Sequence, residues 1–399
     1  MNVRLQKSKA KGTIYAPPSK SYAHRLLIAS MLAQGKGQVD GITDSLDMKA
    51  TLNCISALGV EYEKKENTVF INGGPRRHQK PILNCHESGS TLRFFIPIAL
   101  VFSTECRFLG TERLMSRGLD VYFDIFKEQG IEYTLNKDSL EIKGQLKPST
   151  FKVRGDISSQ FITGLLFALP LLNGDSKIEI TTPLESKAYV DITLEVLKTY
   201  GIEIERQQST FLIKGNQKYK SLCVSAEGDA SNSAFLDAFN VIGGDVSVLG
   251  LNESTIQGDY VYKKLFEQLK NTTPTIDLSD CPDLGPITFA LASSCNGATI
   301  TGIRRLRIKE SDRVEAMATE LRKLGCEIDT LENSVVIKGG IREPSEILKG
   351  HNDHRIVMAL SVLCTIVGGE IEGCEAVNKS YPHFFEDLET LGIFLERKI

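Results

Sequence analysis

A short segment, residues 305–313, concentrates charged side chains of both signs. Lys309 and Glu310 are adjacent within it, and Asp312 and Arg313 close it. The residues that follow repeat apolar side chains at helical spacing, so the charges are predicted to stand at the start of an amphipathic helix. Lysine and arginine bind phosphate and carboxylate groups, and a carboxylate among cations stays ionised and can accept a proton. The segment therefore fits either an anion-binding catalytic site or a solvated charge run with a capping aspartate.

Six polar segments stand directly before strongly apolar stretches, which are predicted to form buried helices. In chain order they are residues 17–25, 87–93, 156–161, 227–233, 281–286 and 352–355. The N-terminus of a buried helix offers N–H groups and a positive dipole end, so it favours anions. Plain capping by Ser19, Ser88 or Asp229 is the alternative for any single segment. Cations at these helix starts favour the anion site, because burying a cation without a partner is costly. These cations are Lys20, Arg25, Arg93 and Arg355.

The elements that must position these residues form a repeat. A glycine ends a helix, and two alternating strands follow around a polar turn. The glycines are Gly59, Gly130, Gly201, Gly325 and Gly392. The interval from Gly201 to Gly325 is about twice the others, so six repeats are predicted, each with a buried helix, a strand, an amphipathic helix and a hairpin. Three repeats per domain predict an α/β or α+β architecture with internal pseudo-threefold symmetry.

The length of 399 residues favours two domains over a single core. We predict a first domain over residues 13–225 and a second domain built from residues 1–12 and 226–399. The N-terminal residues are assigned to the second domain because its repeats need a strand to complete them. Helix starts from both domains are expected to surround one active-site cleft.

The composition excludes several classes of function. The chain is 41% hydrophobic and 24% charged with a net charge of −3, which gives no global attraction to nucleic acid. No apolar run reaches the ~18 residues of a membrane span, and no secretory signal is recognisable. Nine cysteines are scattered singly, without the paired spacing of a zinc site or a disulfide framework. We expect a cytoplasmic monomer that binds neither nucleic acid nor membrane and uses no metal and no cofactor.

Taken together, the helix-start motifs resemble the 5-enolpyruvylshikimate-3-phosphate synthases over essentially the whole chain. The motifs are PSKSYAHR (18–25), SGSTLR (88–93), SSQF (158–161), PD (282–283), RIKESDR (307–313), NDHR (352–355) and NKSYP (378–382). The resemblance implies two domains of three βαβαββ repeats each, with buried parallel helices, that close over shikimate 3-phosphate and phosphoenolpyruvate. It implies transfer of the enolpyruvyl group to the 5-hydroxyl of shikimate 3-phosphate, with release of phosphate, in the chorismate pathway.

The resemblance also implies roles for the residues at matching motif positions. Shikimate 3-phosphate would contact Lys20, Ser21, Arg25, Ser158, Ser159, Gln160, Ser186, Tyr189, Asp283 and Lys309. Phosphoenolpyruvate would contact Lys20, Gly89, Arg93, Arg117, Gln160, Arg313, Arg355 and Lys379. Asp283 is implied as the base at the 5-hydroxyl, and Glu310 with Lys20 as carriers of protons at C3 and at the leaving phosphate.

Two other functions compete with this one. A UDP-N-acetylglucosamine enolpyruvyl transferase would share the repeats, but that family typically has a cysteine in the loop that corresponds to residues 109–118, which contain none. A non-catalytic binder of phosphorylated ligands would have no need of both Asp283 and Glu310. Three residues depart from the pattern common in the resembled family and bear on substrate affinity rather than on reaction class. They are Glu87, Phe94 and Arg305.

Overall fold

The computed structural model describes residues 1–76 and 79–398. Its helices are α1 (Lys20–Leu32), α2 (Leu46–Ala57), α3 (Gly89–Phe102), α4 (Glu112–Met115), α5 (Asp120–Gln129), α6 (Ser159–Ala168), α7 (Lys187–Thr199), α8 (Ala230–Val241), α9 (Tyr262–Asn271), α10 (Gly285–Ser294), α11 (Arg313–Lys323), α12 (His354–Val367) and α13 (Phe384–Thr390). Short 3-10 turns occupy Leu169–Leu171, Gly258–Val261, Pro282–Leu284, Arg304–Ile308 and Cys374–Lys379.

The strands are β1 (Asn2–Leu5), β2 (Lys11–Tyr15), β3 (Gly35–Asp40), β4 (Glu61–Lys65), β5 (Thr68–Gly73), β6 (Ile82–Asn84), β7 (Glu105–Leu109), β8 (Glu132–Leu135), β9 (Ser139–Lys143), β10 (Thr150–Val153), β11 (Ser176–Ile180), β12 (Ile204–Gln207), β13 (Thr210–Ile213), β14 (Cys223–Ser225), β15 (Asp245–Leu249), β16 (Thr275–Asp277), β17 (Gly297–Thr301), β18 (Ile328–Thr330), β19 (Ser334–Lys338), β20 (Leu348–Lys349), β21 (Gly369–Glu372) and β22 (Leu395–Lys398). The chain forms two compact units: the first unit is Lys20–Glu227, and the second unit is Met1–Ser19 together with the residues from Gly228 onward.

The boundary between the units differs from the predicted one. Residues 13–19 belong to the second unit, because β2 pairs in parallel with β15 from Lys11 to Tyr15. Ala226 belongs to the first unit, where its N–H donates to the carbonyl of Asp40 at 3.0 Å. Long-range strand pairing decides this boundary, and a local apolar pattern carries no information about such pairing.

The sheets repeat one topology. The first unit contains the sheets β14-β3-β5-β4, β6-β7-β9-β8 and β10-β11-β13-β12. The second unit contains β16-β17-β19-β18, β20-β21-β1-β22 and the pair β15-β2. In each four-stranded sheet the first two strands are parallel and the remaining pairings are antiparallel. The repeated units confirm the predicted mixed α/β class.

Strands from distant parts of the chain complete several repeats. In the sixth repeat β1 takes the place of a hairpin strand, and Val3 lies opposite both Ile371 and Arg397. β14 supplies the first strand of the first sheet, and β2 pairs with β15 in the fourth repeat. Among the described residues the fourth repeat has no hairpin, since only residues 272–274 separate α9 from β16. The hairpin predicted for that repeat is therefore wrong.

The buried helices place polar side chains at their starts. In α1 every residue from Tyr22 to Leu32 is buried, and the other five buried helices are similarly apolar on most faces. Ser88, Ser158 and Asp353 cap α3, α6 and α12 by accepting backbone N–H groups. Within the described ranges, none of the helices has the length and apolar character needed to cross a membrane.

Candidate active site

The start of α3 is crowded by two guanidinium groups. A Cβ atom placed on Gly89 would lie 2.9 Å from Nη1 of Arg117 and 3.1 Å from Nη1 of Arg93. Both arginines are buried, and Nη2 of Arg93 donates to the carbonyl of Arg117 at 2.8 Å. Two cations at the positive end of a helix, over a residue without a side chain, form a site suited to a phosphate or carboxylate group.

The side chain of Gln160 joins the start of α6 to the start of α3. Its Oε1 accepts from Nη1 of Arg93 at 2.7 Å, and its Nε2 donates to Oγ of Ser90 at 2.9 Å. The backbone N–H of Gln160 is held by the capping hydroxyl of Ser158 at 3.3 Å, and Ser159 is buried in the same turn. These bonds fix the direction in which the Arg93 guanidinium points.

The Arg25 guanidinium is buried and held by several acceptors. Its donors reach Oγ1 of Thr193 at 2.8 Å, the carbonyl of Ser21 at 2.7 Å and the carbonyl of Tyr189 at 3.0 Å. The guanidinium carbon lies 5.2 Å from the centre of the Phe94 ring. Burial lowers the pKa of Arg25 to about 10, so the group remains a cation at neutral pH. Arg25 thus fixes α1 to α7, and Phe94, one of the departures from the family pattern, packs against it.

Two further predicted residues lie at helix starts in the first unit. Ser186 is buried before α7 with a φ of 54°, a left-handed conformation that costs a non-glycine residue about 1 kcal/mol. Nζ of Lys20 lies 3.0 Å from Oδ2 of Asp47. Asp47 was not predicted as a partner of Lys20, because an acidic residue in the first turn of an amphipathic helix is common and does not by itself indicate a site.

In the second unit, Arg313 lies at the centre of a cluster of carboxylates, with its side chain 1% exposed. Its nitrogens contact three carboxylates: Nη1 lies 2.9 Å from Asp283, Nη2 lies 2.8 Å from Glu310, and Nε lies 2.8 Å from Asp353. Nη2 also donates to the second oxygen of Asp353 at 3.3 Å. Burial opposes the charge on Arg313, but these carboxylates raise its pKa. Asp353 is fully buried, yet Arg313 holds the pKa of its carboxyl below the ordinary value.

The carboxylate of Asp283 contacts cations on both oxygens. Besides Arg313, it lies 3.3 Å from Nζ of Lys309 and 3.2 Å from Nη2 of Arg355. Nη1 of Arg355 also donates to the backbone carbonyl of Asp283 at 3.1 Å. A carboxylate shared by three cations is ionised and can accept a proton when a substrate group displaces one of them.

The other charges of residues 305–313 have structural roles. Asp312 caps α11 by accepting the N–H groups of Val314 and Glu315, both at 3.1 Å. Arg305 is buried and donates to the carbonyl of Ser279. Arg305, which departs from the family pattern, therefore connects the 3-10 turn Arg304–Ile308 to the backbone at Ser279.

The structure thus brings part of the predicted residues into two clusters, and Lys20, Ser21, Arg25, Ser158, Ser159, Ser186, Tyr189 and Lys379 lie outside both. The first-unit cluster consists of Gly89, Arg93, Arg117 and Gln160. The second-unit cluster consists of Asp283, Lys309, Glu310, Arg313, Asp353 and Arg355. Asp353 was not among the predicted site residues, although its place in the NDHR motif (352–355) was a signal that could have identified it. Across residues 1–76 and 79–398, no group of three or more His, Cys, Asp or Glu side chains is arranged to hold a metal ion.

Adding a methyl group at Gly89 tests the first-unit cluster. The resemblance implies that this cluster binds phosphoenolpyruvate. We therefore expect Gly89→Ala to raise the KM for phosphoenolpyruvate about tenfold or more, because the new Cβ must displace charged donors of Arg117 and Arg93. Steady-state kinetics of Gly89→Ala, Arg117→Ala and the double variant measure this. The double variant should resemble Arg117→Ala, since the methyl group acts mainly by moving that side chain. An unchanged KM in Gly89→Ala would refute the assignment.

Lys309 makes the second-unit cluster sensitive to alkaline pH. Burial lowers the pKa of its ammonium, although Asp283 opposes the shift. The positive charge exists below this pKa and is lost above it, so a lowered pKa moves the loss to lower pH. Because the resemblance implies that Lys309 contacts shikimate 3-phosphate, we expect kcat/KM for that substrate to fall on the alkaline side in the wild type. This limb should move to higher pH in Lys309→Arg, which stays charged. Identical alkaline limbs in both proteins would exclude Lys309 as their cause.

Comparison with solved structures identifies the class of fold. The chain is similar to an EPSP synthase from Acinetobacter baumannii with a TM-score of 0.80 and 21% identity, and 100% of each chain is covered. It is also similar to the enolpyruvyl transferase NikO from Streptomyces tendae, with a TM-score of 0.79 and 14% identity over 100% of this chain and 98% of NikO. At such identities the likeness shows the fold alone. The predicted enolpyruvyl transferase fold is confirmed.

The sequence comparisons define the family within that class. The model of the EPSP synthase (3-phosphoshikimate 1-carboxyvinyltransferase) family matches residues 5–388. The 3-phosphoshikimate 1-carboxyvinyltransferases of Clostridium kluyveri and Clostridium acetobutylicum are 44% and 43% identical, and each comparison covers 98% of this chain and 97% of the relative. The chain therefore belongs to the EPSP synthase family. Its predicted class, a 1-carboxyvinyl transferase, is confirmed, and the UDP-N-acetylglucosamine alternative is not favoured.

Proposed function

We propose that the protein transfers the enolpyruvyl group of phosphoenolpyruvate to the 5-hydroxyl of shikimate 3-phosphate and releases inorganic phosphate. The main structural support for this proposal is the position of the Asp283 carboxylate. It contacts three cations in the same cluster as Glu310. Family membership supports the two substrates. We further propose that the enzyme acts as a monomer in the cytoplasm, in the chorismate pathway of aromatic amino acid synthesis.

Phosphoenolpyruvate carries a phosphate and a carboxylate, so it needs several cations. Arg93 and Arg117 are proposed to bind it at the start of α3, where Gly89 leaves room for close approach. Arg313 and Arg355 are proposed as further ligands because both guanidinium groups already hold carboxylates. The complete proposed set is Lys20, Gly89, Arg93, Arg117, Gln160, Arg313, Arg355 and Lys379.

Shikimate 3-phosphate offers a phosphate, a carboxylate and two hydroxyl groups, which suit a mixture of cations and neutral donors. The proposed ligands are Lys20, Ser21, Arg25, Ser158, Ser159, Gln160, Ser186, Tyr189, Asp283 and Lys309. Hydroxyl groups at the capped start of α6 support this role, because they lie beside the backbone N–H groups of a buried helix. The strained backbone at Ser186 is a second support, since such strain clusters at binding sites.

The proposed chemistry is an addition followed by an elimination. Asp283 accepts the proton of the 5-hydroxyl while the hydroxyl oxygen forms a bond with C2 of phosphoenolpyruvate. At the same time C3 receives a proton through Glu310 and Lys20. The bond between C2 and the phosphate oxygen then breaks, and C3 returns a proton to Glu310 as the double bond forms again. The proton taken from the 5-hydroxyl passes from Asp283 to the released phosphate. Cations among the proposed phosphoenolpyruvate ligands stabilise the negative charge on the leaving phosphate.

Phosphate release with two acceptors tests this function. With phosphoenolpyruvate present, shikimate 3-phosphate should support continuous phosphate release, and UDP-N-acetylglucosamine should not. Binding of both substrates without release would favour the non-catalytic alternative. Faster release with UDP-N-acetylglucosamine would contradict the proposed acceptor.

A further inference from the structure

The segment before α12 contains two consecutive residues in the left-handed region. His351 has a φ of 50° and Asn352 a φ of 51°. Each non-glycine residue in this conformation costs about 1 kcal/mol, although asparagine tolerates it better than most. The carbonyl of Asn352 accepts from Nζ of Lys379 at 2.5 Å, and the next residue is Asp353, the buried partner of Arg313. The strained backbone therefore supports two cations that are proposed to bind phosphoenolpyruvate.

A fully buried carboxylate, Glu320 on α11, holds this segment. Its Oε1 lies 2.8 Å from Nε2 of His351. Its Oε2 accepts from the backbone N–H of Lys349 at 2.9 Å and from Nζ of Lys323 at 2.8 Å. Burial opposes the charge on Glu320, but these hydrogen bonds lower the pKa of its carboxyl. A buried carboxylate with three donors is a rigid anchor for the groups it binds.

Two side chains of α11 bind the segment 349–353. Glu320 follows Arg313 by seven positions, about two helical turns, so both side chains leave the same face of the helix. Arg313 binds Asp353 at one end of the segment, and Glu320 binds Lys349 and His351 at the other end. The two left-handed residues are thus held from both sides.

We propose that Glu320 is a positioning residue for phosphoenolpyruvate binding. Through His351 and the N–H of Lys349 it keeps the backbone in the conformation in which Asn352 orients Lys379 and Asp353 orients Arg313. The inference rests on the proposed function, in which Lys379 and Arg313 bind phosphoenolpyruvate. A merely stabilising ion pair would change the amount of folded enzyme, whereas a positioning residue changes the KM of the folded enzyme.

The variants Glu320→Gln and His351→Phe, with the double variant, test this role. Each single change should raise the KM for phosphoenolpyruvate about tenfold, the effect of one charge-assisted hydrogen bond, while kcat falls less than about threefold. The double variant should be no worse than the more impaired single variant, because both changes break the same link. His351→Phe keeps an aromatic ring but removes its hydrogen-bonding nitrogens, and it alters a side chain that is 28% exposed, so it remains informative if Glu320→Gln does not fold.

Asp237→Asn is the matched control. Asp237 is a partly buried carboxylate of the same unit, on α8, and accepts from the hydroxyl of Tyr262. Its replacement should lower the melting temperature and leave the KM for phosphoenolpyruvate unchanged. If His351→Phe and any folded Glu320→Gln behave like this control, the positioning role is refuted. A wild-type enzyme that does not turn over shikimate 3-phosphate and phosphoenolpyruvate would instead refute the proposed function itself.

Discussion

Replacing Asp283 with asparagine is expected to lower kcat for enolpyruvyl transfer by about 10²–10⁴-fold, the usual contribution of a general base. The amide has the size of the carboxylate but cannot accept the proton of the 5-hydroxyl. Because Lys309, Arg313 and Arg355 remain, the dissociation constants of both substrates should change by less than about tenfold. Single-turnover kinetics and calorimetric binding separate the two effects.

Asp312→Asn provides a matched control for the Asp283 variant. Asp312 caps α11 in the same charged segment, and asparagine caps helices equally well, so turnover should stay within about twofold of the wild type. Glu310→Gln should lose turnover while retaining substrate binding, as Asp283→Asn does. Near-normal turnover in Asp283→Asn would show that another group accepts the hydroxyl proton.

Replacing Arg313 with methionine is expected to have the second large effect, on both stability and activity. Without the guanidinium, Asp353 is a buried carboxylate that has lost its cation, and Asp283 and Glu310 each lose a contact. Breaking a buried ion pair in this way costs about 3–5 kcal/mol in the free energy of unfolding. Activity should fall at least about 10²-fold, because the proposed ligand and the alignment of both acids are lost together.

Urea unfolding and steady-state kinetics measure these two effects, and Arg307→Met is the control. Arg307 lies in the 3-10 turn that precedes the same helix and pairs near the surface with Asp312 and Glu315, so its loss should cost less than about 1 kcal/mol. Arg313→Lys should recover part of the stability and little of the activity, since one ammonium cannot replace three directed donors. Equal stability losses for Arg307→Met and Arg313→Met would contradict the structural account.

Most of the fold could be predicted from the sequence, because the elements of each repeat are determined by residues close together in the chain. Helix-ending glycines such as Gly130, with a φ of 68°, and the apolar helices are each determined by nearby residues. Strand exchange is not local: β2 pairs with β15, and β1 completes the last sheet. The absence of a hairpin in the fourth repeat was not predictable, because the interval from Gly201 to Gly325 gives the number of residues and not the elements that they form.

The candidate site likewise contains residues that could be predicted from the sequence and residues that could not. The cations at helix starts were predictable, because a charge next to an apolar helix requires an explanation. Their partners were not, since contacts such as Lys20 with Asp47 and Glu320 with His351 join residues far apart in sequence. The left-handed backbone of His351 and Asn352 was not predictable either. Histidine and asparagine adopt this conformation more often than most residues, but they also occur in many loops without it.

Turnover in deuterated water tests the central claim, that transfer proceeds by addition to C2 with protonation at C3. The enzyme is incubated with shikimate 3-phosphate and unlabelled phosphoenolpyruvate in deuterated water, and the product is examined by mass spectrometry and proton NMR. The account predicts a carboxyvinyl ether of shikimate 3-phosphate with deuterium in its vinyl group, because the methyl group formed on addition loses either isotope on elimination. A carboxyvinyl product without deuterium would contradict protonation at C3 and remove the role assigned to Glu310 and Lys20.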